Sequence, residues 1–348
     1  IGATIGMALY LSQAISVAFY IIAFTESFEF IFNFFSESLN INLPRQIISI
    51  PVTILLGFFI LRKGANFGVK ALYIVAGIML LVLLLFFFGR TDFQTQDNTS
   101  IFSGELRNMK DFFIVFAIVF PAFTGMTAGV GLSGDLKNPA KSIPLGIILA
   151  TVTGMVVYLL VIYKLAISAS PEDMLNNQLI MAKIAIGGAF FIPLGLAFST
   201  ISSALGSMMV APRTLQALAH DESFPSAKIN KWLSFARRSD NEPVNASLVT
   251  IVIALVFVAL GSINAVAEII SMFFMVTYGS LCLISFLNHF GSSPSYRPSF
   301  RSRWYISLAG ALIAVWVMFK INTPYAITAI IAMIAIYLYM NFYHKERQ

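Results

Sequence analysis

Charged side chains are scarce in this chain of 348 residues. Only 11% of the residues are Asp, Glu, Lys or Arg, whereas soluble domains carry about 25%. Hydrophobic residues make up 58% of the chain, and the mean hydropathy is +0.84. This composition excludes an ordinary soluble protein and leaves no room for a separate soluble domain.

Cysteine and buried acids are nearly absent as well. Cys282 is the single cysteine and lies inside an apolar run, so a disulfide within the chain is excluded. Acidic residues are almost missing from the apolar runs, where Glu268 stands at an edge. A proton-coupled transporter usually carries a buried acid or histidine. The scarcity favours coupling to metal cations held by neutral oxygen atoms.

Clustered catalytic groups are also lacking. The three histidines, His220, His289 and His344, are far apart in sequence, and no serine lies in a nucleophile elbow. The sequence therefore predicts no enzyme and no cofactor. The net charge of +6 is spread over short loops beside apolar segments, so we expect the lipid bilayer as a partner and no nucleic acid.

Apolar runs of about 20 residues, the length that crosses a bilayer, recur along the whole chain. They predict an all-α polytopic membrane protein with about ten helices. The predicted spans are residues 3–25, 46–62, 67–89, 111–132, 143–167, 180–208, 246–262, 265–288, 304–320 and 324–343.

The basic residues predict the orientation of these spans. With Ile1 on the cytoplasmic side, the inner loops hold 15 of the 22 Lys and Arg residues. Short cytoplasmic loops are enriched in Lys and Arg. We therefore expect a multi-pass protein of the cell membrane with both ends of this chain in the cytoplasm.

The longest inner segment is residues 212–243. Its first part predicts an interfacial helix that turns Leu215, Leu218 and Trp232 toward lipid.

The most informative stretch is residues 120–144, which follows the apolar run 112–120. It contains a proline and four glycines that a continuous helix does not need: Pro121, Gly125, Gly129, Gly131 and Gly134. A helix broken inside a bilayer is tolerated where its freed N–H and C=O groups are buried in protein or line a cavity, and transporters hold small ions with such groups. The alternative is a Pro/Gly kink without a ligand.

Hydroxyl groups within the spans are candidate ion ligands. Ser199, Ser202 and Ser203 share one helical face because their spacing is i, i+3 and i+4. Hard cations such as Na⁺ prefer oxygen ligands, although small residues also serve helix packing. Tyr20 and Tyr278 could each offer a phenol to an ion, or could bond to a neighbouring backbone.

Four segments together carry a resemblance that covers nearly the whole chain. They are residues 16–20 (SVAFY), 120–144 (FPAFTGMTAGVGLSGDLKNPAKSIP), 202–218 (SSALGSMMVAPRTLQAL) and 294–300 (PSYRPSF). The sequence resembles the cation–chloride cotransporters, a branch of the amino acid–polyamine–cation transporter superfamily. Departures from the family pattern are Gly131, where Asn is common, and Tyr296, which replaces Trp.

The resemblance implies two cation sites. Tyr20, the Pro121 carbonyl and Thr124 match the positions that hold K⁺. Ser199, Ser202 and Ser203 match a sodium site. Potassium-only members carry Gly and Ala at the last two of these positions, which favours Na⁺ coupling here.

The resemblance also implies an anion site and a gate. The backbone N–H groups of Gly125, Met126 and Thr127 match a chloride site that Tyr278 completes. A half-helix N-terminus presents positive partial charge to such an anion. The charged residues that follow, Asp135, Lys137 and Lys141, are expected at the cytoplasmic mouth, either as gate ion pairs or as solvated loop charges.

The implied fold is an inverted repeat of five plus five helices with two additional C-terminal helices. Residues 1–348 then form one transmembrane domain, in which 1–110 is the remainder of the first repeat, 111–290 is the second repeat and 304–343 holds the additional helices. The repeat pairs the broken helix with another one five spans earlier. Three spans precede the broken helix, so we expect two upstream helices as partners that complete the sites.

The predicted function is secondary transport of chloride with potassium and sodium by alternating access, with these inorganic ions as the cargo. An amino acid permease of the same superfamily is the first alternative, since a broken helix could bind a substrate carboxylate. A non-transporting partner subunit is the second. A homodimer is a further expectation.

Overall fold

Helices form nearly all of the described structure. The computed structural model describes residues 2–63, 65–90, 109–125, 136–177, 179–238, 241–291 and 303–345. Within these ranges there is no strand.

The helices are numbered in chain order. They are α1 (Gly2–Glu26), α2 (Glu29–Leu39), α3 (Gln46–Lys63), α4 (Ala65–Phe88), α5 (Met109–Val119), a 3₁₀ turn (Phe120–Phe123), α6 (Pro139–Ser168), α7 (Pro171–Asn176), α8 (Ile180–Ile184), α9 (Gly188–His220), α10 (Ala227–Leu233), α11 (Val244–Leu260), α12 (Ile263–Phe290), α13 (Trp304–Ile321) and α14 (Thr323–Lys345).

The membrane-spanning character predicted from the sequence is confirmed. Six described helices, α1, α6, α9, α12, α13 and α14, are long and apolar enough to cross a membrane. Four shorter apolar helices lie in α3, α4, α5 with its 3₁₀ turn, and α11. Each of these ten segments overlaps one of the ten predicted spans, so the chain is an all-α polytopic membrane protein. Its division into repeats stays a prediction.

One predicted span consists of two helices. The prediction of a single helix over 180–208 is wrong, because α8 ends at Ile184 and α9 begins at Gly188. Between them Gly187 has a φ of +59°, which an L side chain rarely adopts. At Gly188, a Cβ would lie 2.2 Å from the Ala182 carbonyl oxygen. The two glycines therefore permit a tight turn that hydropathy alone does not reveal.

The core of the described structure lies around α1. This helix packs against α9 and α12 most extensively, and also against α11. Its buried side chains include polar ones, Ser12, Gln13 and Ser16, each at most 2% exposed. Ser16 Oγ donates to the Ser12 carbonyl at 2.6 Å, which satisfies one of them within the helix. A span with polar buried positions is therefore an interior helix of the bundle.

The interfacial helix predicted from residue 212 onward is wrong. α9 continues through Pro212 to His220, and its 33 residues span about 50 Å at the usual helical rise. Leu215 is 3% exposed and packs in a cluster with Tyr10 and Ala14 of α1. Leu218 lies against Gly6 of α1, where a Cβ would come within 2.8 Å of its methyl group. These leucines face α1 because the helix extends along its neighbour.

Two short helices, α2 and α10, lie outside the long apolar helices. Trp232, on α10, is exposed. α2 follows the end of α1 and is not predicted from the sequence. It ends at Leu39, and Asn40 caps it with a φ of +53°. An ion pair joins Glu26, the last residue of α1, to Arg45, which stands directly before α3.

α6 is the most exposed of the long helices. Of its residues, only Ser168 is buried. Lys164 Nζ donates to the Gly89 carbonyl oxygen at 2.7 Å, which ties the C-terminal part of α6 to the end of α4. Val161 and Leu165 pack beside Phe86 in the same region. The N-terminal two thirds of α6 therefore face the surroundings and one cavity, described below.

Candidate functional site

The helix that starts with α5 ends where the sequence predicts a break. Its last α-helical residue is Val119, and Phe120–Phe123 form a 3₁₀ turn. Thr124 is extended, with a ψ of 176°, and Gly125 has a φ of +103°. Pro121 cannot donate a backbone hydrogen bond, and the φ of Gly125 lies in a region that favours glycine. The sequence thus directs the chain out of the helix at this point.

Thr124 is held by the carbonyl of Pro121. The Thr124 amide donates to that oxygen at 3.2 Å, and the Thr124 Oγ1 donates to it at 2.6 Å. Both donors come from one residue, so the turn is closed locally. The Thr124 oxygen keeps its lone pairs for a partner from another helix.

That partner is Tyr20 of α1. The Tyr20 phenol lies beside the Thr124 side chain. Tyr20 packs against a cluster formed by α1, α3, α9 and α11 residues, including Val17 and Leu205. The structure therefore brings together all three residues for which a potassium role is predicted, and that role stays a prediction.

Tyr158 of α6 is a fourth residue at this place, and sequence reasoning missed it. Its ring lies against the ring of Phe123, with centroids 4.6 Å apart and planes inclined by 35°. Its phenol lies within electrostatic reach of Tyr20. The signal in the sequence was a lone tyrosine within an apolar span, of the same kind as Tyr20 and Tyr278.

A cavity of about 460 Å³ lies between the broken helix and α6. Thr124 and Gly125 line it on one side. On the other side α6 presents small and hydroxyl-bearing residues, which are Ser142, Gly146, Ala150, Thr151, Gly154 and Tyr158. Gly146, Ala150 and Gly154 recur every fourth residue, so they form one face of the helix. Their small size leaves the space that the cavity occupies.

Tyr278 lies at the start of the break. Its ring stacks on Phe274 with centroids 5.5 Å apart, and it meets the ring of Phe120 edge-on at 6.5 Å. Its hydroxyl oxygen is buried. α12 thus holds Tyr278 beside the 3₁₀ turn. Of the predicted chloride-binding amides, Gly125 is described, while Met126 and Thr127 lie outside the described residues.

The predicted sodium-site serines lie on α9 and are half-buried. Ser202 Oγ donates to the Ser199 carbonyl within the helix, at 3.0 Å. Thr200, between them, is buried and donates to the Leu196 carbonyl at 2.7 Å. Such bonds within the helix are compatible with a packing role, and also with an ion site in which a bound cation replaces them. The sodium role of Ser199, Ser202 and Ser203 therefore stays a prediction.

The predicted gate is described only in part. Asp135 lies outside the described residues. Lys137 and Lys141, at the start of α6, are exposed. Within the described ranges, no group of three or more His, Cys, Asp or Glu side chains could hold a metal ion.

Comparisons with known proteins extend over the whole chain. The sequence profile of the family described as amino acid permease matches residues 1–347. Solute carrier family 12 member 2 of Mus musculus is 29% identical, over 98% of this chain and 32% of its own length. Potassium/chloride cotransporter 3 of Caenorhabditis elegans is 33% identical, over 68% of this chain and 22% of its own length.

A plant protein is similar as well. Cation-chloride cotransporter 1 of Oryza sativa subsp. japonica is 33% identical, over 66% of this chain and 23% of its own length. This chain spans about a third or less of the length of these curated relatives. The resemblance to cation–chloride cotransporters seen in the sequence is confirmed. The match over residues 1–347 shows that the chain belongs to the amino acid permease family.

Proposed function

We propose that this protein is a secondary active transporter that moves chloride together with potassium, with sodium as a further coupling ion, by alternating access. The observation that carries the proposal is the cluster of neutral oxygens at the helix break, formed by Tyr20, Thr124 and the Pro121 carbonyl. Ion gradients supply the energy for such transport.

The cation part of the proposal rests on the chemistry of the oxygens. Hydroxyl and carbonyl oxygens are the ligands that hard monovalent cations accept in place of water. A carbonyl freed at a helix break is a common element of such sites in transporters. Here the Pro121 carbonyl and two hydroxyls from different helices lie together, so a dehydrated K⁺ would be bound between α1 and the broken helix.

The anion part rests on the backbone that follows. The extended Thr124 and the turn at Gly125 end one half of the helix. Amides at the start of a following half-helix would present positive partial charge to chloride. We assign the amides of Gly125, Met126 and Thr127 to this role, with the Tyr278 hydroxyl as a fourth donor.

The remaining assignments are further proposals. Ser199, Ser202 and Ser203 are the sodium ligands, and Lys137 and Lys141 lie at the cytoplasmic mouth with Asp135. Both ends of the chain are cytoplasmic, as the distribution of Lys and Arg predicts. Two of the similar proteins, from Caenorhabditis elegans and Oryza sativa subsp. japonica, have names that specify cation or potassium together with chloride, which supports the proposed cargo.

Uptake of ⁸⁶Rb⁺ into proteoliposomes tests the proposal, with external chloride compared with gluconate. We expect chloride-dependent Rb⁺ uptake by the unaltered protein. Thr124→Val should lose about tenfold, because removing one hydroxyl ligand of the ion costs about 1–2 kcal/mol. Thr328→Val is the matched control. The Thr328 hydroxyl bonds to the Pro324 carbonyl of its own helix at 2.9 Å, in an exposed part of α14. Absence of chloride-dependent Rb⁺ uptake by the unaltered protein would contradict the proposal.

A second candidate is transport of amino acids, which the name of the matching family favours. The same broken helix could bind a substrate carboxylate in place of chloride. Accumulation of labelled amino acids in the same proteoliposomes, without chloride-dependent Rb⁺ uptake, would replace the cotransporter proposal with this one.

A further inference from the structure

We propose that Tyr158 of α6 supplies a third hydroxyl to the cation site formed by Tyr20 and Thr124. This inference rests on the proposed function and adds a residue, and a third structural element, to its cation site. The site then joins α1, the broken helix and α6 through one ion.

The position of Tyr158 is fixed by the residue next to Thr124. Its ring lies against Phe123, at a centroid distance of 4.6 Å. Phe123 is the last residue of the 3₁₀ turn. The aromatic contact therefore aligns α6 with the break one residue before the Thr124 hydroxyl.

Two further observations direct the phenol toward the site. Tyr158 and Thr124 line the same cavity of about 460 Å³. The Tyr158 phenol also lies within electrostatic range of the Tyr20 phenol, which lies beside Thr124. Thr124 and Tyr158 thus line one cavity, and Tyr20 lies next to Thr124.

Ordinary core packing does not account for this tyrosine. Tyr158 is half-buried on a helix in which Ser168 is the one buried residue. Tyrosines that face lipid are typically found at the membrane interface, whereas Tyr158 lies ten residues, or about 15 Å, before the end of α6. A phenol at that depth usually hydrogen-bonds to a polar partner. The cavity beside Thr124 offers one.

The chemical consequence is a more complete cation shell. A phenol oxygen can accept a cation while its proton is donated elsewhere. With Tyr158, the ion would contact two phenols, one aliphatic hydroxyl and the Pro121 carbonyl. Among the described residues of α6, none in the first two thirds is buried, so the ion would also hold this helix against α1 and the break.

The test separates the hydroxyl of Tyr158 from its ring. Tyr158→Phe retains the contact with Phe123 and removes only the hydroxyl. We expect its KM for Rb⁺ to rise by about fivefold, the equivalent of one lost neutral hydrogen bond, while its KM for chloride changes less than twofold. Tyr163→Phe on the same helix is the matched control, because Tyr163 is 52% exposed and outside the cavity lining. We expect unchanged constants for that control.

Tyr158→Leu distinguishes binding from packing. A purely structural tyrosine predicts normal uptake in Tyr158→Phe and reduced maximal uptake in Tyr158→Leu, and this result would overturn the inference while the proposed function stands. If the unaltered protein shows no chloride-dependent Rb⁺ uptake, the proposed function fails and the inference fails with it. A selective rise of the Rb⁺ KM in Tyr158→Phe supports both.

Discussion

α1 and α6 are both apolar helices long enough to cross a membrane, yet they are used in opposite ways. Fourteen of the 25 residues of α1 are buried, whereas in α6 only Ser168 is buried. α6 is the more apolar of the two, while α1 buries polar residues such as Gln13 and Ser16. Polar content within a span therefore indicates contact with other helices better than hydropathy does. The candidate site includes Tyr20 of α1, and α6 lines the cavity beside Thr124.

The largest expected effect concerns α9, the helix that packs most extensively against α1. The double variant Ser202→Ala/Ser203→Ala on α9 should lose Na⁺-dependent ⁸⁶Rb⁺ uptake, because it removes two of the three proposed sodium ligands. Uptake with Na⁺ compared with N-methylglucamine measures this. Ser207→Ala is the control, one turn further along the same helix. Unchanged Na⁺ dependence in the double variant would favour the packing role of these serines.

The next effect tests burial directly, with one substitution in each helix. Ile21 of α1 is fully buried, and Ile148 of α6 is 52% exposed. Ile21→Ala should destabilise the protein by about 3 kcal/mol, because it leaves a cavity in a packed cluster. Ile148→Ala should change stability by less than about 0.5 kcal/mol, as surface substitutions do. Thermal unfolding of the purified protein compares them, and equal losses would contradict the assignment of α6 as an exposed helix.

A smaller effect is expected for the hydrogen bond that joins α6 to the end of α4. Lys164→Met removes the charged hydrogen bond to the Gly89 carbonyl and should lower stability by about 1.5 kcal/mol. Lys164→Arg keeps a cationic donor and should retain most of this stability. The unfolding midpoints of the two variants are the measurement. If both equal that of the unaltered protein, α6 is held by its apolar contacts alone.

The smallest effect concerns the backbone of the break. Gly125→Ala should reduce chloride-dependent uptake by about fivefold, because an alanine at a φ of +103° is strained by about 1 kcal/mol although nothing obstructs its methyl group. Gly77→Ala in α4 is the control, since its methyl group is equally unobstructed and its helical φ is ordinary. Full activity of Gly125→Ala would show that this conformation is not required for transport.

Local composition predicted the number of spans and the site of the break. Runs of apolar residues are long enough to identify crossing helices, and Pro121 with Gly125 identifies an end of a helix through backbone chemistry alone. The proximity of Tyr20 and Thr124 is predicted only by the resemblance to a family. The two residues are about a hundred positions apart in the sequence. No local pattern contains that contact.

Other features depend on packing that a single sequence does not express. The sequence predicts that Leu215 and Leu218 face lipid. They are buried because α9 extends along α1. Tyr158 gave no signal beyond its residue type, because its partners are Phe123 and Tyr20 on other elements. Which face of a helix is buried depends on the helices that pack against it.

The bond between Thr124 Oγ1 and the Pro121 carbonyl would have a consequence for the speed of the proposed transport. In the proposed cation site, an ion bound to this carbonyl would displace the hydroxyl proton of Thr124, while the Thr124 oxygen itself stays a ligand of the ion. Because Thr124 is three residues along the same chain, its proton competes at very high effective concentration. The competitor returns as soon as the ion leaves, so the carbonyl is never left without a partner. Such an exchange limits affinity and favours rapid release, which a carrier requires on the side where it delivers its ions.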